Sequence, residues 1–232
     1  MYYYLIYLQN RLTPTGTVMR KSNKGRIRAE KTQIILQAAE TEFVKHGYKG
    51  TSIQTISDAA GLPKANLLYY FPSKEKLYDA LLKNIISIWN QAFTEISEQD
   101  DPAKTLEQYI HSKVEQAIHY PNASKIFAAE IIQGAPNLNE YLRVETRTWL
   151  KQSCQIINSW ISQGKMKKVD PEKLIFLIWS STQHYATYQA ELLIITDKPE
   201  YLQKDINDIS AFLCDMVLSG CGLTTNKKRG DE

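Results

Sequence analysis

Three observations on this 232-residue chain predict an all-α fold. Apolar residues recur at helical spacing, as at Ile34, Ile35, Ala38, Ala39 and Phe43. Helix-starting pairs recur as well: Asp101-Pro102 and Asp170-Pro171 each place an acidic cap before a proline suited to a first helical turn. No stretch alternates apolar and polar residues long enough to read as a strand. The breaks divide the chain into about nine helices, three in a front module, a connecting fourth and five behind it.

The first helix is expected from about Ile27 to His46, stopped by Gly47. Thr51-Ser52-Ile53-Gln54 has the form of a capping box and opens a second helix that ends near Gly61. A short third helix runs from Pro63 to about Tyr70, and Pro72-Ser73 starts a long fourth that reaches about Ile96. Tyr120-Pro121-Asn122 and Gly134-Ala135-Pro136 mark later breaks. The last two helices, near 171–194 and 200–219, are apolar on more than one face, as helices that form an interface should be. The domain division is then an extension with a basic arm over 1–26, a helix-turn-helix module over 27–72, a larger helical ligand-binding and dimerisation domain over 73–223, and a solvated, disordered tail over 224–232. Residues 1–18 are expected to be disordered, and Met19, followed at once by basic residues, is a reasonable alternative start.

Charge is distributed unevenly. Residues 20–83 hold 12 Lys and Arg against 6 Asp and Glu, whereas residues 84–232 hold 15 against 19. A basic front and an acidic back predict that the front meets a polyanion. Cys154, Cys214 and Cys221 are odd in number and lack CxxC spacing, which argues against a disulfide framework or structural zinc and fits a reducing cytoplasm. His46, His111, His119 and His184 show no ligand spacing, so no metal and no cofactor is expected. No nucleophile elbow, phosphate-binding loop or HExxH motif is present, so an enzyme is not expected. No apolar run approaches the roughly 20 residues that span a bilayer, and no membrane partner is expected.

Between Ile53 and Tyr70, Ile56, Ala60, Leu62 and Leu67 stand where two short helices must pack, and Gly61 stands where the turn wants a residue without a Cβ. The third helix is small and polar at its start, which suits a major groove about 12 Å wide. Asn66 can pair with an adenine edge, Lys64 with a guanine or a phosphate, and Lys74 adds a cation at a helix N-terminus. Equally, helix-turn-helix packing occurs in proteins that never touch DNA, Gln54 can serve only to close its capping box, and Tyr69 and Tyr70 can be plain core.

The motifs Gly47-Tyr48-Lys49-Gly50-Thr51-Ser52, Ile56-Ser57-Asp58-Ala59-Ala60-Gly61 and Leu67-Leu68-Tyr69-Tyr70-Phe71-Pro72-Ser73-Lys74-Glu75-Lys76-Leu77, in that order, resemble the DNA-binding domain of the TetR family. That resemblance implies a ligand-responsive repressor that binds a palindromic double-stranded operator as a homodimer. It makes Thr51, Gln54, Lys64, Ala65, Asn66, Tyr69, Tyr70 and Lys74 the contact candidates. Pro63 departs from the hydroxyl cap common in the family. Tyr120 to Phe127, Glu130, Gly134-Ala135-Pro136 and the run Asp170 to Ala186 further resemble the pyrimidine-utilisation repressors of that family, which respond to uracil and thymine.

A pyrimidine needs flat walls and a group that offers donor and acceptor together. Phe176, Trp179, Ser180 and Gln183 fall on one helical stripe, with His184, Tyr185 and Tyr188 at neighbouring angles; these and Phe127 are the ligand candidates. The alternatives remain open: Trp and Phe at helical spacing serve as core, and His184 can bond its counterpart across a dimer. A different flat or amphipathic effector, or a helical interaction protein that does not bind DNA, are the competing functions.

Overall fold

A computed structural model describes residues 23–91, 93 and 96–224, with the side chains of Asn23, Lys24 and Gln91 left aside. The expectations for residues 1–18 and for nearly all of the 224–232 tail lie outside the described residues. Among the described residues the secondary structure is helical throughout, with no strand.

The front module is built from α1 (Asn23–Gly50), α2 (Ile53–Ala59) and α3 (Lys64–Tyr70). One face of α1 buries Ile35, Leu36, Ala38, Ala39 and Phe43, the spacing that predicted it. Gly47 breaks the helix with a left-handed φ of 67°, a conformation glycine adopts without a Cβ penalty. The N-cap sits one residue later than expected, without the reciprocal bond of a capping box. Ser52, not Thr51, caps α2 by accepting from the Thr55 amide at 3.0 Å, and Gln54 turns outward to donate to Asp58 Oδ1 at 2.8 Å. Ile56 and Leu67 meet in the fully buried seam between α2 and α3, and Gly61 (φ 62°) makes the turn.

Helix α4 (Lys74–Gln91) leaves the front module and ends earlier than the expected Ile96. Behind it lie α5 (Pro102–His119), α6 (Pro121–Ile132), a short α7 (Asn139–Tyr141), a π-helical stretch Leu142–Thr146, α8 (Arg147–Ser162), α9 (Pro171–Thr187), α10 (Gln189–Ile195) and α11 (Gln203–Gly220). Asp101 caps α5 and Asp170 caps α9, each accepting two first-turn amides ahead of its proline. The helix expected over 171–194 is broken at Tyr188, whose φ of −107° and ψ of 22° end α9 and begin α10.

Two cores result. One joins α5, α8, α9 and α11 around Tyr109, Trp160, Ile175 and Leu218. The other holds the front module together but also takes in Ala123 and Ile126 of α6 and Leu138 beyond it. Helix α6 therefore packs against α1, α4 and α9 and belongs to both halves of the packing.

Candidate DNA interface and effector chamber

Helix α3 buries Leu67 and turns Lys64, Ala65 and Asn66 to solvent, with Tyr69 74% exposed. Gln54 is exposed on α2. Tyr70 is half-buried and meets Tyr69 edge-on at 5.4 Å, so of the two tyrosines it is the one that also serves the core. Exposure of so large a ring as Tyr69 suits a residue that meets another surface. The Arg28 guanidinium lies 6.0 Å over it, bringing the basic start of α1 beside α3. Arg28 was not singled out by sequence reading, although the basic run over 20–31 was its signal.

Two contact candidates are corrected. Thr51 is 2% exposed, and its hydroxyl donates to the carbonyls of Glu42 at 3.0 Å and Gly47 at 2.8 Å, pinning the kink instead of facing DNA. Lys74 folds inward: its amine donates to the carbonyls of Tyr48 (2.9 Å) and Thr51 (3.0 Å) and lies 4.5 Å over the Tyr48 ring. A cation already holding carbonyl oxygens at a turn stabilises that turn and is poorly placed for a phosphate.

The eight ligand candidates separate into groups. Trp179 points inward: its indole donates to the Tyr109 hydroxyl at 2.6 Å and its ring stacks on Trp149 at 5.6 Å. Phe176, 43% exposed, leans on Trp179, and Gln183 is half-buried on the same flank of α9. Phe127 on α6 meets Trp89 on α4 edge-on at 5.1 Å. Tyr185 leaves the stripe for the far side of α9, 6.3 Å from Tyr201. Ser180, His184 and Tyr188 are exposed, which corrects their placement in a chamber within one chain. They share the outer side of α9 with Leu177, and α11 leaves Phe212 and Met216 each 60% exposed. Period alone could not separate these groups, because it does not say which flank of a helix meets which neighbour.

Along α5, Tyr109 and Lys113 stand one turn apart on one side. Tyr109 touches Trp179 and, at 4.5 Å, Phe93; the Lys113 amine lies 4.6 Å over the Trp89 ring. Two ring groups result, Trp149–Trp179–Tyr109–Phe93 and Trp89–Phe127, with Lys113 of α5 over the second, one turn from Tyr109. Burial pulls the Lys113 amine down to about 7 and pushes the Tyr109 hydroxyl above its usual range. Beside the first group a cleft of about 290 Å³ opens among Phe93, Ile96, Trp149, Gln152 and Ser153, and the buried Trp149 Nε1 has no hydrogen-bond partner in the protein.

Glu130 of α6, a helix packed against α4 and α1, is 2% exposed. It accepts from the Asn137 amide at 2.6 Å and its side chain at 3.1 Å, and its charge acts on Tyr78 of α4. Burial first, then the Glu130 charge, pushes the Tyr78 hydroxyl up. The Tyr78 ring lies 4.7 Å from Tyr48, the residue that Lys74 holds. Among the described residues no cluster of His, Cys, Asp or Glu is arranged to hold a metal, and no helix is long and apolar enough to cross a membrane.

Comparison with known proteins accounts for both halves. Residues 35–81 match the family model of bacterial regulatory proteins of the tetR family, and residues 82–224 match that of the YcdC-like protein C-terminal region. The chain is 38% identical to the HTH-type transcriptional regulator RutR of Escherichia coli (strain K12) over 78% of its own length and 85% of that protein. Its fold is similar to that of the regulator SCO4942 of Streptomyces coelicolor (TM-score 0.66, 19% identity, 84% of this chain and 99% of that one). It is also similar to the ketosteroid transcriptional regulator KstR2 of Mycobacterium tuberculosis (TM-score 0.61, 19% identity, 82% and 94% covered). The chain belongs to the TetR family of bacterial transcription regulators and is not an enzyme.

Proposed function

We propose that the protein is a dimeric repressor of a palindromic operator, relieved by a pyrimidine such as uracil or thymine. The observation that carries this reading is the 38% identity to RutR, which extends through the C-terminal half and not the DNA-binding module alone. The proposed DNA contacts are Gln54, Lys64, Ala65, Asn66 and Tyr69, all exposed on α2 and α3, with Tyr70 behind them and Arg28 added from α1. The proposed effector chamber takes Phe127, Trp179 and Gln183 from the sequence reading. The dimer surface is the outer side of α9 and α11, where Leu177, His184, Tyr188, Phe212 and Met216 would lose water on pairing.

An effector between α4, α5, α6 and α9 would change how α4 and α6 sit together. The Glu130 charge that acts on Tyr78 and the Tyr78–Tyr48 ring contact lead from that seam to the turn that starts α2. A small tilt of α4 in each protomer would alter the spacing of the two recognition helices. By linkage, effector and operator then oppose each other's binding by the same factor.

The deciding experiment is calorimetric titration of the protein with uracil, thymine, cytosine and an unrelated aromatic compound, followed by operator titration with and without saturating effector. Saturable uracil or thymine binding that weakens operator binding is expected. Equal operator affinity in both conditions would sink the coupling.

A further inference from the structure

We propose that Lys113 anchors the effector, donating a hydrogen bond to a ring carbonyl of a flat lactam or imide that lies against Trp89 and Phe127, while Gln116 accepts that ring's N–H. This rests on the pyrimidine reading above and adds the residues that would select the ligand.

A lysine amine is rarely buried without a partner, because removing it from water costs several kcal/mol. Lys113 is 9% exposed, and no carboxylate offsets the burial that depresses its amine. Its amine lies 4.6 Å over the face of Trp89, a cation–ring contact. A ring face is not a lone-pair acceptor, so the amine retains N–H groups that a carbonyl could take. Three residues on, along the same side of α5, Gln116 has the complementary deficit: its Nε2 donates to Ser112 Oγ at 3.2 Å, while its Oε1 is buried with no partner. The Lys113 amine and the unfilled Gln116 acceptor stand on one helix, the amine over Trp89, whose ring pairs with Phe127 to supply apolar walls.

Uracil and thymine carry carbonyl and N–H groups side by side, which meets both deficits at once. With the edge made by N3–H and the C4 carbonyl presented to this pair, cytosine offers an amino group to the lysine's donors and a bare ring nitrogen to the Gln116 acceptor, and both mismatch. A simple carboxylate would satisfy Lys113 but leave Gln116 unfilled, and an unfilled buried acceptor costs about 1–3 kcal/mol. The position also suits a switch. Trp89 lies on α4 and Phe127 on α6, the helices that carry Tyr78 and Glu130. The Trp149 cleft offers one unpaired donor and no charged side chain.

Calorimetry of the full chain with uracil, cytosine and 1,3-dimethyluracil tests this in wild type, Lys113→Met, Gln116→Leu and Trp149→Phe. Wild type should bind uracil and discriminate against both analogues. Lys113→Met should lose about 100-fold in uracil affinity, the scale of one charged hydrogen bond. Gln116→Leu should lose about tenfold and should no longer distinguish uracil from its dimethyl derivative. Both variants should bind operator normally without effector, which separates ligand recognition from a folding defect; the Gln116→Leu discrimination decides the matter if Lys113→Met does not fold. Uracil binding unchanged in both variants would overturn the anchor and leave the pyrimidine reading in place. A loss confined to Trp149→Phe would do the same and move the ligand to the cleft. No pyrimidine binding by wild type would overturn both.

Discussion

The two halves of this molecule treat their polar groups in opposite ways. In the front module most side chains close the local hydrogen bonds: Thr51 holds two carbonyls at the kink, Ser52 caps α2, Ser57 donates to Ile53 and Lys74 bridges Tyr48 and Thr51, while Gln33 Oε1 on α1 is the buried exception. In the C-terminal half, Gln116 Oε1, Thr146 Oγ1, Trp149 Nε1, Tyr201 Oη and Ser210 Oγ are buried without a protein partner, and the Lys113 amine sits on a ring. A module that recognises DNA from outside needs a rigid internal frame and free groups on its surface. A module that takes a small molecule inside needs interior groups left for that molecule. On the function proposed above, this difference would follow from where each half meets its ligand.

The comparison is broken most directly at Leu67, the fully buried residue between α2 and α3. Leu67→Ala should lower stability by about 2–5 kcal/mol, because the cavity cannot be refilled by two short helices. Thermal unfolding checks this, and a loss below 1 kcal/mol would mean that the seam is less rigid than its packing implies.

Polar substitutions should move the halves in opposite directions. Thr51→Val removes a donor from two buried carbonyls and should cost about 1–3 kcal/mol. Trp149→Phe removes a buried N–H that has no partner and should stabilise the effector-free protein by up to about 1 kcal/mol, since a lost ring volume offsets part of the gain. Denaturant melts of the two variants would contradict the contrast if both fell.

A third test concerns Glu40 on α1. Burial raises its carboxyl from 4.5 to about 7. A folded-state value above the unfolded one means that the folded protein holds a proton the unfolded chain releases. Its contribution is therefore fully present below about 4.5 and is lost as pH rises through about 7. Glu40→Gln should remove that loss and stabilise the protein at pH 8 by about 1–3 kcal/mol relative to wild type, with little effect near pH 4. A difference between variant and wild type that stays constant across this range would assign the burial no role.

The last tests are at the proposed DNA surface, where each contact is one of many. Asn66→Ala should cost about 1–3 kcal/mol of discrimination at one base position, and Lys64→Ala should weaken binding evenly across sequences while lowering the salt slope by about 1. Selection of binding sites from random DNA, then salt-dependent titration, measures both. Unchanged behaviour in both variants would move the contact surface elsewhere.

What was legible in the sequence is what short-range rules control. The all-helical class, the Asp-Pro helix starts, the stop at Gly47 and the α2–α3 packing at Ile56 and Leu67 all follow from periodicity, capping and backbone preference. Two local readings were still displaced. Thr51 and Ser52 are both able to cap, and only the packing of α1 against the turn, which offers the Glu42 and Gly47 carbonyls, assigns the cap to Ser52. Lys74 opens α4 as expected, but the fold brings the carbonyls of Tyr48 and Thr51 within its reach. In the C-terminal half the displacement is larger, because the stripe on α9 specified a set of side chains without their neighbours. Tertiary structure turned Trp179 onto Tyr109, set Ser180 and His184 outside, and paired Phe127 with Trp89. It also buried Lys113, which in sequence reads as one more charged residue of an amphipathic helix. The sequence alone determined the helices and their family, since both depend on contacts within a few residues. The address of every interior polar group was decided only by which helices came together, because burial is a property of the assembled neighbours.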